Sequence, residues 1–179
     1  ALSGGFNAFN LVAALTATLA SGVPLSDALS AAAAALPVVG RLQTIDDTSD
    51  IKVVIDYAHT PDALARALST LAECDRCGQL WVLFGCGGDR DRGKRAEMGE
   101  VACRFADRVV VTSDNPRSEA PHSIIEDILD GCGDGEPLVE VDRAAAIALA
   151  VSQAQAGDTV LIAGKGHETY QELDGARLP

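Results

Sequence analysis

Over most of the chain, short and nearly unbroken apolar runs alternate with stretches whose apolar residues recur at helical spacing. Five runs read as strands: 53–57, 80–84, 109–112, 138–141 and 159–163. They show no regular polar alternation, which predicts burial on both faces, as in a parallel sheet covered by helices. Between them the pattern shifts to helices near 61–73, 94–106, 121–130 and 143–155, with Thr60-Pro61, Gly131 and Gly157 as start and stop signals. A repeating β-α order with buried strands predicts an α/β fold built on a Rossmann-like, doubly wound, mostly parallel sheet.

The N-terminal part reads differently. Phe6, Phe9, Asn10, Ala13 and Ala17 recur at three- and four-residue steps, predicting a helix over 6–21 that Gly22 and Pro24 stop. Ser26 then reads as the N-cap of a second helix, Asp27 suits its first turn, and the Ala-rich run 28–35 carries it toward Pro37. Such a helical hairpin cannot bury both faces alone. The pattern therefore divides the chain into a helical segment 1–36 and an α/β segment 38–179, joined near Pro37 to Arg41. At the far end, Leu173-Asp-Gly-Ala176 suits a hairpin turn, expected to stop before its return strand is complete.

Composition narrows the function classes. An apolar fraction of 47% with 22% charged residues is that of a globular protein and excludes a disordered or collagen-like chain. The 14 basic and 26 acidic residues leave a net charge of −12, which repels a phosphate backbone and argues against nucleic acid as a partner. An anionic ligand would need a local basic patch, and Gly88–Arg95 is the best one. The apolar run from Phe9 to Val23 lacks a basic leader and falls short of the ~20 residues of a bilayer span, so no membrane partner is expected. Five scattered cysteines form no disulfide framework and suit a reducing cytoplasm; Cys74-Asp-Arg-Cys77 has no second CxxC to complete a zinc site. The three histidines, His59, His122 and His167, have no metal-ligand spacing either. The chain starts at Ala1 rather than Met and reads as a piece of something larger.

In a doubly wound sheet ligands sit beyond the carboxyl ends of the strands, so the residues after each strand carry the chemistry. Gly88-Asp-Arg-Asp-Arg-Gly-Lys94 nearly fits a phosphate-binding P-loop, but Arg95 replaces the hydroxyl residue that holds magnesium, and Asp89 and Asp91 would oppose phosphates. Arg90 or Arg92 could instead clamp a carboxylate; the alternative is a solvated charged loop. Asp114-Asn115-Pro116-Arg117 offers an anion, an amide and a guanidinium that complement a zwitterionic amino acid, or it is an ordinary turn whose Arg117 pairs with Glu119 or Asp114. In Gly164-Lys-Gly-His-Glu168 the glycines permit close backbone approach and Glu168 can bind an ammonium. A dinucleotide-dependent oxidoreductase is disfavoured, because no G-x-G-x-x-G follows the first strand. A stand-alone module that binds an amino acid or nucleotide without catalysis is the competing reading.

Taken together, Phe6-Asn7-Ala-Phe-Asn10, Gly40-Arg41, Asp56-Tyr-Ala-His59-Thr-Pro-Asp-Ala-Leu64, Gly87-Gly-Asp-Arg90-Asp-Arg-Gly-Lys-Arg95, Asp114-Asn-Pro-Arg117 and Gly164-Lys-Gly-His-Glu168 resemble the Mur ligases of peptidoglycan synthesis, on the branch that adds the third peptide residue. The resemblance spans nearly the whole chain. It implies that 1–38 are the last helices of a central ATP-binding domain and 39–179 a C-terminal amino-acid-binding domain truncated at its end. It implies an ATP- and Mg2+-dependent ligation in which the carboxylate of a UDP-N-acetylmuramoyl-dipeptide is phosphorylated and then attacked by an amine. The P-loop and metal ligands would lie upstream of Ala1, so these residues alone are expected to be inactive and to hold no metal. The resemblance assigns Asn7, Asn10, Arg41, Asp56 and His59 to the nucleotide, and Arg90, Asp114, Asn115, Pro116, Arg117, Gly164 and Glu168 to the amino acid. Arg117, closing the Asp-Asn-Pro-Arg motif, marks meso-diaminopimelate over lysine, since only diaminopimelate has a distal carboxylate. The chain departs from the family pattern where Arg41-Leu-Gln43 stands for the common Arg-x-Glu.

Overall fold

The computed structural model describes residues 5–35, 38–45, 50–73 and 77–178, with only the backbone given for 5–7. Two compact units emerge, Ala1–Val38 and Val39–Pro179. The first is a pair of helices, α1 (Gly5–Ala20) and α2 (Leu25–Ala33). The expected cap is displaced: Pro24 precedes α2, while Ser26 lies inside the first turn and donates its hydroxyl to Asp27 Oδ1 at 3.1 Å. Proline at that point pre-sets an extended entry that leaves no role for a serine cap. Phe9 is 80% exposed and Val12 61%, as expected of a hairpin unable to cover its own apolar surface.

The second unit is an α/β sandwich. In chain order it comprises β1 (Gln43–Ile45), β2 (Lys52–Ile55), α3 (Pro61–Glu73), β3 (Leu80–Phe84), α4 (Gly93–Phe105), β4 (Arg108–Val111), α5 (Pro121–Leu129), β5 (Leu138–Val139), α6 (Arg143–Gln153), β6 (Thr159–Ile162), β7 (Gln171–Leu173) and β8 (Ala176–Leu178). The main sheet runs β1-β2-β6-β3-β4-β5, parallel except for β1, which joins β2 antiparallel. All five expected strands are present, most of them shorter by a residue or two at their carboxyl ends. β1 was not anticipated, because three residues of mixed polarity carry almost no periodic signal.

Every residue of β3 is buried, consistent with its continuous apolar sequence and central place. Alternate side chains divide between two layers. Trp81 and Leu83 join Val110 and Val160 against Ala146 and Ala150 of α6. The intervening Leu80, Val82 and Phe84 must then face the other layer, where α3, α4 and α5 bury Leu64, Leu68, Met98 and Ile128. Asp158 closes the amino ends of the strands, accepting from the N–H groups of Gln79 and Gln155 and from Trp81 Nε1 at 2.7, 3.0 and 3.0 Å. Burial works to raise its pKa, but those three donors prevail and lower it.

The C-terminal segment corrects an expectation. Asp174 and Gly175, both at positive φ (49° and 77°), form a two-residue turn, and β8 returns along β7 in full register, Leu173 opposite Ala176. No helix among the described residues is long and apolar enough to cross a membrane.

Candidate functional site

Because β2, β6, β3 and β4 are parallel, the segments after them must emerge on one edge of the sheet. Arg41, Arg90, Arg92, Lys94, Arg95, Arg117, Arg143 and Lys165 lie there, eight of the 14 basic residues of an acidic chain. Carboxylates share the edge and pair with most of these cations, Arg92 and Arg95 with Glu119, Arg117 with Glu172 and Lys165 with Glu168.

Its centre is Asn115. Its Oδ1 accepts from Lys165 Nζ at 2.9 Å and from the Glu172 N–H at 2.8 Å, while its Nδ2 donates to Glu168 Oε2 at 3.1 Å. The Lys165 ammonium also reaches Glu168 Oε2 at 3.3 Å. Partial burial pushes the Glu168 carboxyl up, but the Asn115 amide and Lys165 outweigh it and hold the group below its ordinary value. Glu168 is thus a fixed carboxylate. Gly164, at φ 108°, lies against Asp114; a side chain there would be strained by the backbone, and its Cβ, 2.8 Å from Asp114 Oδ2, would displace that carboxylate. Beneath them Arg143 is buried, donating to the Ala163 and Ser113 carbonyls at the ends of β6 and β4 at 2.8 and 3.4 Å. Burial lowers its pKa, while Asp114 and Glu168 act in the opposite direction.

Arg117 sits at φ 54°, a left-handed conformation that costs a non-glycine residue about 1–2 kcal/mol. Its partner is neither Glu119 nor Asp114. Nε pairs with Glu172 Oε2 at 3.2 Å and Nη1 donates to the Gly88 carbonyl at 2.7 Å. The Arg117 N–H donates to the Glu172 carbonyl and the Asp174 N–H to the Arg117 carbonyl, so the β7–β8 hairpin is stitched to this residue. Arg90 is exposed at the tip of the neighbouring loop. Pro116 is buried within the turn and also lines a cavity of about 390 Å³ with Pro121, Val141, Gln171 and Leu173.

A second cluster forms beyond β2. Asp56 is buried, and each oxygen of its carboxylate meets the backbone: Oδ2 accepts from the Leu42 N–H and Oδ1 from the Ala58 N–H, both at 2.8 Å. It anchors the turn that carries Arg41. The Arg41 guanidinium lies 4.6 Å from the centroid of the Tyr57 ring, which meets His59 edge-on and stacks with His167. Gln43, the departure from the family pattern, takes a structural role: its Oε1 accepts from the Gly40 N–H at 2.9 Å. Lys94 joins the two clusters by donating to the His59 carbonyl at 2.8 Å. Asn10 is exposed on α1 in the other unit, and the side chain of Asn7 lies outside the described residues, as does Cys74.

Sequence reasoning passed over Tyr57, Glu119, Arg143, Lys165 and Glu172. Lys165 had a signal, an ammonium flanked by the two glycines of its motif; Arg143 and Glu172 had none, being isolated charges in unremarkable context. Among the described residues no three His, Cys, Asp or Glu side chains gather to hold a metal ion.

The fold is a Rossmann-like α/β domain whose polar, charged loops gather at the carboxyl edge of a mostly parallel sheet. The sequence pattern of the Mur ligase, glutamate ligase domain, matches residues 40–166, and the chain belongs to that family. A UDP-N-acetylmuramoyl-L-alanyl-D-glutamate–2,6-diaminopimelate ligase of Chromobacterium violaceum is 52% identical over 99% of this chain and 36% of its own length. A solved ligase structure of that same description superposes with TM-score 0.76 at 46% identity, over 99% of this chain and 36% of the other. Folylpolyglutamate synthase of Mycobacterium tuberculosis, complexed with ADP and AMPPCP, gives TM-score 0.73 at 25% identity, over 91% and 38%. The chain thus spans little more than a third of the proteins it matches.

Proposed function

We propose that this chain supplies the amino-acid pocket, and part of the nucleotide site, of an ATP-dependent ligase that joins meso-2,6-diaminopimelate to UDP-N-acetylmuramoyl-L-alanyl-D-glutamate during peptidoglycan synthesis in the cytoplasm. The carrying observation is the convergence on one sheet edge of Arg117, Asn115 and a fixed Glu168 carboxylate, a charge pattern complementary to an amino acid with a further carboxylate. In this reading Glu168 and Asp114 hold the ammonium end, Asn115 and the Gly164 backbone shape the middle, and Arg117 with Arg90 receives carboxylate. Residues 1–38 are the closing helices of the ATP-binding domain, and 39–179 the amino-acid domain, in the same reading. The nucleotide meets Arg41, Asp56 and the Tyr57–His59–His167 surface, which fit a polyphosphate and a flat base, with Asp56 also anchoring the turn that carries Arg41. The ADP-bound relative and the diaminopimelate-ligase relatives support the assignment.

ATP supplies the activation of the peptide carboxylate as an acyl phosphate; the bound amine then attacks, and phosphate leaves. This chain's residues orient the amine and its carboxylates and exclude competing amino acids. The test is ADP release by the full-length protein with the UDP-dipeptide and either meso-diaminopimelate or lysine. Diaminopimelate-dependent turnover is expected, with lysine poor; equal use of both would overturn the role given to Arg117. Residues 1–179 alone are expected to release no ADP under those conditions.

A further inference from the structure

Besides Leu42 and Asp174, two non-glycine residues lie in the left-handed region, Asp89 at φ 52° and Arg117 at φ 54°. They face each other across adjacent loops. The Gly88 N–H donates to the Asn115 carbonyl at 2.9 Å, and Arg117 Nη1 returns to the Gly88 carbonyl at 2.7 Å. Asp89 takes the Ser118 hydroxyl on Oδ1 at 2.7 Å and the Ser118 N–H on Oδ2 at 3.2 Å. These contacts lower the Asp89 pKa, the Ser118 hydroxyl contributing most. Strained backbone persists only where the surroundings over-determine it, so something must hold this pair of loops.

The holding group is Glu119. Its Oε1 accepts from the Asp89 N–H at 2.7 Å and Arg95 Nη2 at 2.8 Å, and its Oε2 from Arg92 Nη2 at 2.8 Å and Arg95 Nη1 at 3.0 Å. Arg95 is completely buried at the start of α4, bidentate to Glu119, and extends to Asp127 Oδ2 on α5 at 2.8 Å and the Gly87 carbonyl at 3.3 Å. Its Nε is a buried polar atom with no partner. An apolar pair would serve packing as well or better, so a fully buried guanidinium with an unsatisfied nitrogen points to a positional role. Glu119 thereby joins three elements: the loop that carries Arg90, the turn that carries Arg117, and the helix pair α4–α5.

We infer that the buried Arg95–Glu119 pair is a positioning clamp that holds Asp89 and Arg117 in their left-handed conformations, and so sets the spacing of Arg90 and Arg117 that selects the amino acid. Neither clamp residue touches substrate. The inference rests on the proposed amino-acid site for its kinetic consequence, but not for its conformational one. It explains why Arg95 stands where a P-loop would place a hydroxyl: the loop after β3 is braced from below by a guanidinium instead of wrapping a phosphate.

Two variants of the full-length protein separate the possibilities: Glu119→Gln, which keeps the shape but loses the charge, and Arg95→Met/Glu119→Leu, which replaces the pair by apolar groups of similar size. Each is read by KM for meso-diaminopimelate, KM for ATP, Tm, and the φ angles of residues 89 and 117 in a crystal structure. Glu119→Gln is expected to raise KM for diaminopimelate on the order of tenfold to a hundredfold, the scale of a small misplacement at a reacting site, with KM for ATP within about twofold. The double variant is expected to recover the parental Tm while keeping the raised KM and losing the left-handed φ at residues 89 and 117. A double variant that restores Tm and KM together, with φ unchanged, overturns the clamp and leaves a merely structural ion pair. If the unmodified protein does not use diaminopimelate but the double variant still relaxes the two φ angles, the clamp stands and the proposed substrate falls.

Discussion

The two halves of the sheet edge are built by opposite strategies. On the side proposed for the amino acid, charged groups are held by other charged groups and by backbone: Asn115, Lys165 and Glu168 form a closed set, Arg117 has two partners, and Glu119 locks the adjoining loops. On the side proposed for the nucleotide one buried carboxylate, Asp56, anchors a turn, and the rest is an aromatic and cationic surface around Tyr57. The difference follows the ligands each half suits. A small zwitterion must be discriminated by charges at set distances, which requires a preorganised cage. A nucleotide offers a broad flat base and diffuse charge, which stacking and a single guanidinium engage without a rigid pocket.

The sharpest way to break this contrast is Arg117→Ala in the full-length protein. Losing a charge-assisted contact of about 1.5–3 kcal/mol should reduce kcat/KM for meso-diaminopimelate roughly 10- to 150-fold. Lysine should hold or gain its weak activity and ATP should be little affected. Competition kinetics with both amino acids measure the ratio; an unchanged ratio would make Arg117 only a stitch for the β7–β8 hairpin. Next comes Asp56→Ala, which frees the Leu42 and Ala58 N–H groups and the turn bearing Arg41. KM for ATP should rise on the order of tenfold, with KM for diaminopimelate unchanged. A rise in both would mean that the halves are mechanically one. Tyr57→Leu tests the stacking surface: an exposed cation–π contact of about 0.5–1 kcal/mol predicts a two- to fivefold rise in KM for ATP by isothermal titration or initial rates.

The smallest effect lies in acid. Glu119 is held down to about 2 from 4.5, first by its hydrogen bonds from Arg95 and then by the Asp89 N–H, and Glu168 is also lowered. A lowered folded-state pKa contributes stability that is complete above the unfolded value and is lost as pH falls through the folded one. Tm should therefore be flat above about pH 5 and decline between about pH 4.5 and 2, with a shallower decline in Glu119→Gln. Solvent around these carboxylates screens the effect and keeps it modest. Equal slopes in the two proteins would show that the lowered Glu119 pKa makes no contribution to folding.

Much of this arrangement was legible beforehand because its causes are local. Continuous apolar runs such as Leu80–Phe84 announce a doubly buried strand, and Pro61 and Gly157 mark helix limits. Once the strands are parallel, their polar sequels must share an edge, so the sequence by itself determined the fold class and the gathering of Arg90, Asp114, Arg117 and Glu168 on one side of the sheet. Pairing was another matter. Glu119 is two residues from Arg117 yet bonds Arg95, while Arg117 reaches across to Glu172. The Asp56 carboxylate meets the Leu42 and Ala58 N–H groups, and short β1 and β8 form only because β2 and β7 offer them a partner. Such choices depend on distances between segments far apart in the chain, and on burial that makes some partners obligatory. No periodicity or motif encodes them, and only the folded molecule decides which charge meets which.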